Sequence, residues 1–322
     1  MRLRLCAGLL ALAAGAAGAP IRHDFLALDE GLGDLMHVDQ AQPARNWLVH
    51  IGHPLPRDMQ LEGQGRLLIS HDEGYCEYDI ASGRRLTDVA RFHDVSSVRR
   101  LANGHLLIAG VDFDGKKLNR GHEAVGDPAG RHVLFVEYDA AGRAVARATY
   151  VGDYLRIIRE TAAGTFLCAC NTEFKEADGR GNWIHEYPVP GFRHAWEGVR
   201  LADGRMIMSG GYGAFMVVLG PAGEILRRFG APDQVAPEIH PHFYGLFQLL
   251  PNGHLVAANW QGHHAGHNDE GEQLVEFDGD GRVVWTWSDR AFVSSVQGVL
   301  ILDGLDPARL YDQREGLMAP IR

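Results

Sequence analysis

Leu250-Pro-Asn-Gly-His-Leu-Val256, followed downstream by Val275-Glu-Phe-Asp-Gly-Asp-Gly-Arg-Val-Val-Trp-Thr-Trp287, sets the fold. In both stretches strand-forming runs flank a turn that ends in Gly. Asn-Gly and Asp-Gly supply positive φ at low steric cost, the chemistry of a tight β-hairpin. The first pattern recurs at Gly63-Gln64-Gly65, Ala102-Asn103-Gly104, Ala162-Ala163-Gly164, Ala202-Asp203-Gly204, Pro251-Asn252-Gly253 and Leu302-Asp303-Gly304. Each turn joins an antiparallel pair, strands a and b. A third strand follows at Glu77-Tyr78-Asp79, Glu137-Tyr138-Asp139, Glu186-Tyr187-Pro188, Val218-Leu219-Gly220 and Glu276-Phe277-Asp278, and then a fourth, as in Glu224–Phe229 or Val283–Trp287.

Four antiparallel strands repeating at 39- to 60-residue spacing are the blades of a β-propeller. Only 18 residues follow Gly304, too few for three more strands. The N-terminus supplies the missing ones: Phe25–Leu28, Leu35–Asp39 and Trp47–Ile51 match strands b, c and d. The sequence therefore predicts an all-β, six-bladed propeller of four-stranded antiparallel blades, closed by N-terminal strands pairing with the C-terminal strand, which leaves no open sheet edge at the seam. In blade 3, Pro188 and Pro190 predict a fourth strand that is short or absent.

The chain has 322 residues, 46% apolar and 22% charged, with 40 glycines, a composition that excludes disorder, collagen and coiled coil. Residues 1–19 combine the basic start Met1-Arg-Leu-Arg4, an apolar stretch and Ala17-Gly-Ala19, and read as a secretory signal peptide. Export to the periplasm or outside follows, with residues 20–322 as a single propeller domain and a monomer. Removing Arg2 and Arg4 leaves 29 basic against 41 acidic residues, which argues against nucleic acid or an anionic membrane as partner. Cys76, Cys168 and Cys170 are an odd count without framework spacing, so no disulfide scaffold is expected.

The blade grammar resembles the six-bladed propellers of the arylsulfotransferase-like and quinoprotein-like (PQQ-type repeat) superfamily. Ser294–Asp306, with Asn259-Trp-Gln-Gly-His263, resembles a group of exported bacterial propellers of no established reaction. The resemblance implies the fold, and a sulfotransferase-like activity through a histidine sulfuryl acceptor as the third of three functional readings.

Strand order brings the d-to-a and b-to-c connections to one face, around the mouth of the central channel. Aligning each strand a on its turn Gly brings His93 and Asp94, Asp153 and Tyr154, Arg193 and His194, and His242 and Phe243 to that rim, with Arg156, Trp196, Tyr244, Asn259 and Trp260 beside them. Long b-to-c segments, Val111–Gly130 in blade 2, Asn171–Asn182 in blade 3 and Asn259–Glu270 in blade 5, are expected to rise from the same face. Further down, Asp58, Gln60, Ser97, Arg99, Arg159, Glu197, Gln248 and Gln297 share one side of strand a and line the channel, where Arg99, Arg159 and Glu197 need charge partners. His263, His264 and His267 are the candidate ligands for a divalent metal; a solvated His-rich loop is the other reading.

The first functional reading is an exported propeller that binds an anionic polyhydroxylated ligand such as an acidic saccharide. It acts on that ligand by proton abstraction, with His194, His242 and Tyr244 as catalytic groups. His93, Asp94, Tyr154, Arg156, Arg193, Trp196, Glu197, Asn259 and Trp260 hold the ligand. The second is a non-catalytic module for a glycan or a protein.

Overall fold

The computed structural model describes residues 20–111, 132–152 and 154–321. The segment read as a signal peptide, most of the blade 2 insert, Asp153 and Arg322 lie outside the described residues. The chain opens with β1 (Asp24–Asp29), β2 (Asp34–Asp39) and β3 (Trp47–His50). Blade 1 is β4 (Met59–Gly63), β5 (Arg66–His71), β6 (Gly74–Asp79) and β7 (Arg85–Ala90). Blade 2 is β8 (Val95–Arg100), β9 (Leu106–Val111), β10 (His132–Tyr138) and β11 (Ala144–Val151). Blade 3 holds β12 (Ile158–Glu160), β13 (Phe166–Cys170), β14 (Glu173–Ala177) and β15 (Trp183–Pro188), and blade 4 β16 (Gly198–Arg200), β17 (Met206–Ser209), β18 (Met216–Leu219) and β19 (Ile225–Phe229). Blade 5 is β20 (Phe243–Leu249), β21 (Leu255–Trp260), β22 (Leu274–Phe277) and β23 (Val283–Trp287).

β24 (Val296–Ile301) then pairs antiparallel with β1, Phe25 opposite Ile301 and Ala27 opposite Val299, so the sixth blade reads β24-β1-β2-β3. The ring closes as the strand count predicts. The turns match their chemistry: Gly253 sits at φ 84°, and a Cβ there would meet nothing within 4 Å, so its glycine is required by backbone conformation and not by space. Strand b is buried along its length in β21, whereas the outermost β11 is mostly exposed, as expected of an edge strand.

Two expectations are corrected. Blade 3 has a complete fourth strand: β15 pairs with β14 from Trp183 to Pro188, and Glu186-Tyr187 belongs to it and not to strand c. Strand c is Glu173–Ala177, reached through a tight turn at Asn171 (φ 55°), so no long loop leaves blade 3 there. Pro188 is tolerated because it ends an edge strand, where no ladder donor is needed.

The residues after Gly304 form a hairpin, β25 (Tyr311–Glu315) and β26 (Leu317–Pro320), the latter joined in parallel to β20 at Leu249 and Leu317. β25 packs against the inner strands β4, β12 and β16 at the end of the channel opposite the mouth. Gln60 Nε2 donates to Tyr311 O at 3.0 Å and Arg314 reaches Glu160 at 2.5 Å. Above the hairpin the expected ion pairs are present. Arg159 meets Glu197 at 2.5 Å and Asp58 at 3.0 Å, while Arg99 meets Asp312 at 2.8 Å. All five side chains are buried, and mutual pairing is what makes that burial tolerable. Among the described residues no helix is long and apolar enough to cross a membrane.

Candidate functional site

The β15–β16 connection is held from both sides. His194 N donates to Asn171 Oδ1 at 3.2 Å and Ala195 N to Asn171 O at 2.7 Å, which keeps His194 at φ 53°. Arg193 O accepts from Tyr212 N at 2.8 Å, drawing the short Gly-flanked turn between β17 and β18 against the same loop. That turn delivers Tyr212 to the centre of the mouth. Its ring makes edge contacts with His194 at 5.2 Å, His242 at 5.6 Å, Phe243 at 4.9 Å and Trp260 at 6.0 Å between centroids. Two imidazoles thus flank one phenol.

A crevice of about 50 Å³ opens between these groups, lined by Arg57, Arg156, His194, Trp196, Tyr212, Trp260, His263 and Gln297, with Leu55 and Phe243. The guanidinium of Arg156 lies over the Tyr154 ring at 4.1 Å and near Trp196 at 5.8 Å, and its Nη1 donates to Leu155 O. Arg57 Nη1 donates to Val95 O at 2.8 Å and lies 3.5 Å from Asp72. Trp196 Nε1 and Gln297 Oε1 are buried with no hydrogen-bond partner, as is the Tyr154 hydroxyl beneath Arg156. Burial raises the pKa of Tyr154 and of Tyr212, so both phenols stay neutral.

Of the residues chosen from sequence, Arg156, His194, Trp196 and Trp260 come together in this crevice, with His242 stacked on Trp260 at 6.0 Å and Arg193 beside Tyr212 at 5.7 Å. His93 and Asp94 occupy the equivalent β7–β8 connection but do not line the crevice. Tyr244 does not reach it. It is fully buried, its hydroxyl donates to Gly230 O at 2.7 Å, and its ring packs on Phe277, tying blade 4 to blade 5. Asn259 is likewise buried, accepting from His242 N and donating to Ile239 O and Glu272 O, so it positions His242. Glu197 lies deeper, on Arg159 and the Phe247 amide.

The His-rich loop disperses its imidazoles. His263 Nδ1 faces Glu30 at 3.0 Å, His267 Nε2 faces His263 O at 3.0 Å, and His264 sits at φ 71°, exposed. They form no shared ligand set; among the described residues the group of three or more His, Cys or carboxylate ligands that does converge is His53, His71, Cys76 and Asp88.

Sequence reasoning missed Glu30, Arg57 and Tyr212. Glu30, 6% exposed, accepts Trp260 Nε1–H at 3.0 Å and so fixes that ring and His263. Arg57 stands eight residues before its turn Gly, as Arg156 and Trp196 do, so the register that selects those two also selects it.

No protein-family model matches the chain, and no curated protein matches it. Among solved structures it is similar to a protein of unknown function from Bacteroides caccae, with a TM-score of 0.65 and 19% identity over 87% of this chain and 99% of that one. A streptogramin B lyase matches with a TM-score of 0.53 and 11% identity, covering 87% and 95%. The WD40 β-propeller domain of Doa1 matches at 0.54 and 12%, covering 87% and 86%. At these identities the likeness is one of fold: a six-bladed β-propeller.

Proposed function

We propose that the chain is an exported propeller whose mouth binds an anionic, polyhydroxylated ligand such as an acidic saccharide. The observation that carries this reading is the pair of buried polar atoms with no partner on the crevice wall, the Trp196 Nε1–H donor and the Gln297 Oε1 acceptor, beside two guanidinium groups. An orphaned buried polar atom costs about 1–3 kcal/mol unless a ligand or water completes it. Arg57 and Arg156 neutralise an acid group, Trp196 donates to it, and Gln297 accepts from a ligand hydroxyl. The crevice has room for about one carboxylate or a few waters. The rest of the ligand therefore rests on the rim, against the half-buried rings of Tyr212 and His242, which the buried Trp260 backs from beneath.

His194 stands at that rim to take a proton from a carbon next to the neutralised acid, with the neutral Tyr212 hydroxyl as its acid counterpart. This makes lyase-type elimination the favoured activity. Sulfuryl transfer to His194 would need the same crevice to receive a sulfate ester in place of a carboxylate.

Calorimetric titration with a uronic acid and with its neutral parent sugar tests the reading. Wild type should bind the acid at least tenfold more tightly. Trp196→Phe removes one charge-assisted hydrogen bond, about 1.5–3 kcal/mol, and should weaken the acid roughly 10- to 100-fold while leaving the neutral sugar unchanged. Equal affinity for both sugars, or an unaffected variant, rejects the site. Binding without turnover by the wild type identifies a binding module instead, and turnover that His194→Ala leaves unchanged removes His194 from the chemistry.

A further inference from the structure

Blade 1 holds a cluster that the mouth does not use. His53 lies in the β3–β4 connection, His71 ends β5, Cys76 is in the middle of β6, and Asp88 stands on β7 directly opposite Cys76 in the strand register. One ligand atom from each lies within 4.8 Å of all the others. His71 and Cys76 are fully buried, while His53 and Asp88 cover them on the solvent side with 15% and 38% side-chain exposure.

Nε2 of His71 is buried without a hydrogen-bond partner, while Nδ1 accepts from Glu73 N at 3.3 Å. A cation at Nε2 removes the cost of that orphaned atom once the ring proton moves to Nδ1, at the expense of the Glu73 contact. The rings of His53 and His71 stack, centroids 4.0 Å and planes 6° apart, and His53 Nε2 faces Asp88 Oδ1 at 2.9 Å. The in-plane lone pairs of two parallel rings cannot meet at one ion, so binding requires His53 to swing out of the stack and exchange its contact with Asp88 for the metal. Two imidazoles, a thiol and a carboxylate make an N₂SO donor set of the kind that suits tetrahedral zinc. Bonds of about 2.0–2.3 Å in tetrahedral geometry separate ligand atoms by roughly 3.3–3.8 Å. A contraction of about 1 Å therefore closes the shell. The outer residues His53 and Asp88 can make it by side-chain rotation, with His71 and Cys76 fixed in the core. Outer partners are present too: Arg85 Nη1 donates to Asp88 Oδ2 at 2.7 Å, and Glu73 lies 3.4 Å from His53 Nδ1.

We propose that His53, His71, Cys76 and Asp88 form a structural zinc site that fastens the blade 6 to blade 1 connection onto three strands of blade 1. On binding, the Cys76 thiol releases its proton to solvent and the thiolate forms the metal–sulfur bond. With four protein ligands the ion has no open position, so it braces and does not catalyse. The braced loop also carries Leu55 and Arg57 into the mouth.

The test uses the full chain, stripped with chelator and titrated with Zn²⁺ and, as a spectroscopic probe, Co²⁺. One equivalent should bind per chain, raise the melting temperature and, with cobalt, give a thiolate-to-metal charge-transfer band. Asp88→Asn and His53→Gln, both on the outer side, should keep the fold and weaken binding about tenfold or more. Cys76→Ser should abolish the charge-transfer band; if it fails to fold, the two outer variants decide. Absence of uptake by wild type overturns the site. So does uptake that both outer variants leave unchanged, or that His263→Ala with His267→Ala abolishes.

Discussion

His23 ties pH to the blade 5–blade 6 seam. Its ring lies 2.5 Å from Asp303 and 2.9 Å from Glu276, and it is 7% exposed. Burial lowers its pKa, but the hydrogen bonds to Asp303 and Glu276 outweigh that and hold it at about 9. With the folded value above the unfolded 6.5, the contribution is fully present below pH 6.5 and is lost as pH rises through 9. Denaturant unfolding should show roughly 3 kcal/mol at most disappearing across that window, and His23→Gln should flatten the curve there. At the same scale, what the sequence reveals depends on register. Arg57 is legible from its place before the turn Gly. Tyr244 is not, because β20 carries a bulge between Tyr244 and Phe247, and one extra residue resets which side chains face the mouth. Neither Trp196 Nε1 nor Gln297 Oε1 announces itself as orphaned until the ring is closed around it.

The C-terminal hairpin shows the limit for whole elements. Tyr311–Glu315 has little apolar alternation, and its partners are Arg99, Arg159 and Glu160 on two other blades, contacts that no local pattern encodes. Strand β14 was hidden for a related reason. Glu173-Phe-Lys-Glu-Ala177 alternates outward charge with buried Phe174, and its turn at Asn171 lacks the glycine that marks the others. For the hairpin the energetic expectation is definite. Asp312→Ala leaves Arg99 buried with Asp58 3.7 Å away as its remaining carboxylate, and should cost about 3–5 kcal/mol in denaturant unfolding. Asp312→Asn, which keeps a hydrogen-bonding oxygen, should cost less.

The ring itself was legible because its signal is repetition: six Gly turns count the blades, and the strand deficit at one end matches the surplus at the other. What repetition cannot show is how tightly neighbouring blades approach. A Cβ on Gly245 would lie 2.3 Å from Gln297 O, on the next inner strand, so blades 5 and 6 touch through backbone there. Gly245→Ala should therefore push the inner strands apart, cost about 1–3 kcal/mol and lower the melting temperature by several degrees in calorimetry. The mouth, by contrast, is assembled from connections of different blades, and only the closed ring shows which of them meet. At the opposite pole, β25 lies across β4, β12 and β16, beneath the layer of paired Arg159, Glu197 and Asp58. A guest of the proposed kind would have to leave by the opening through which it came, so a long chain would offer an end or a side branch and would not be reeled through.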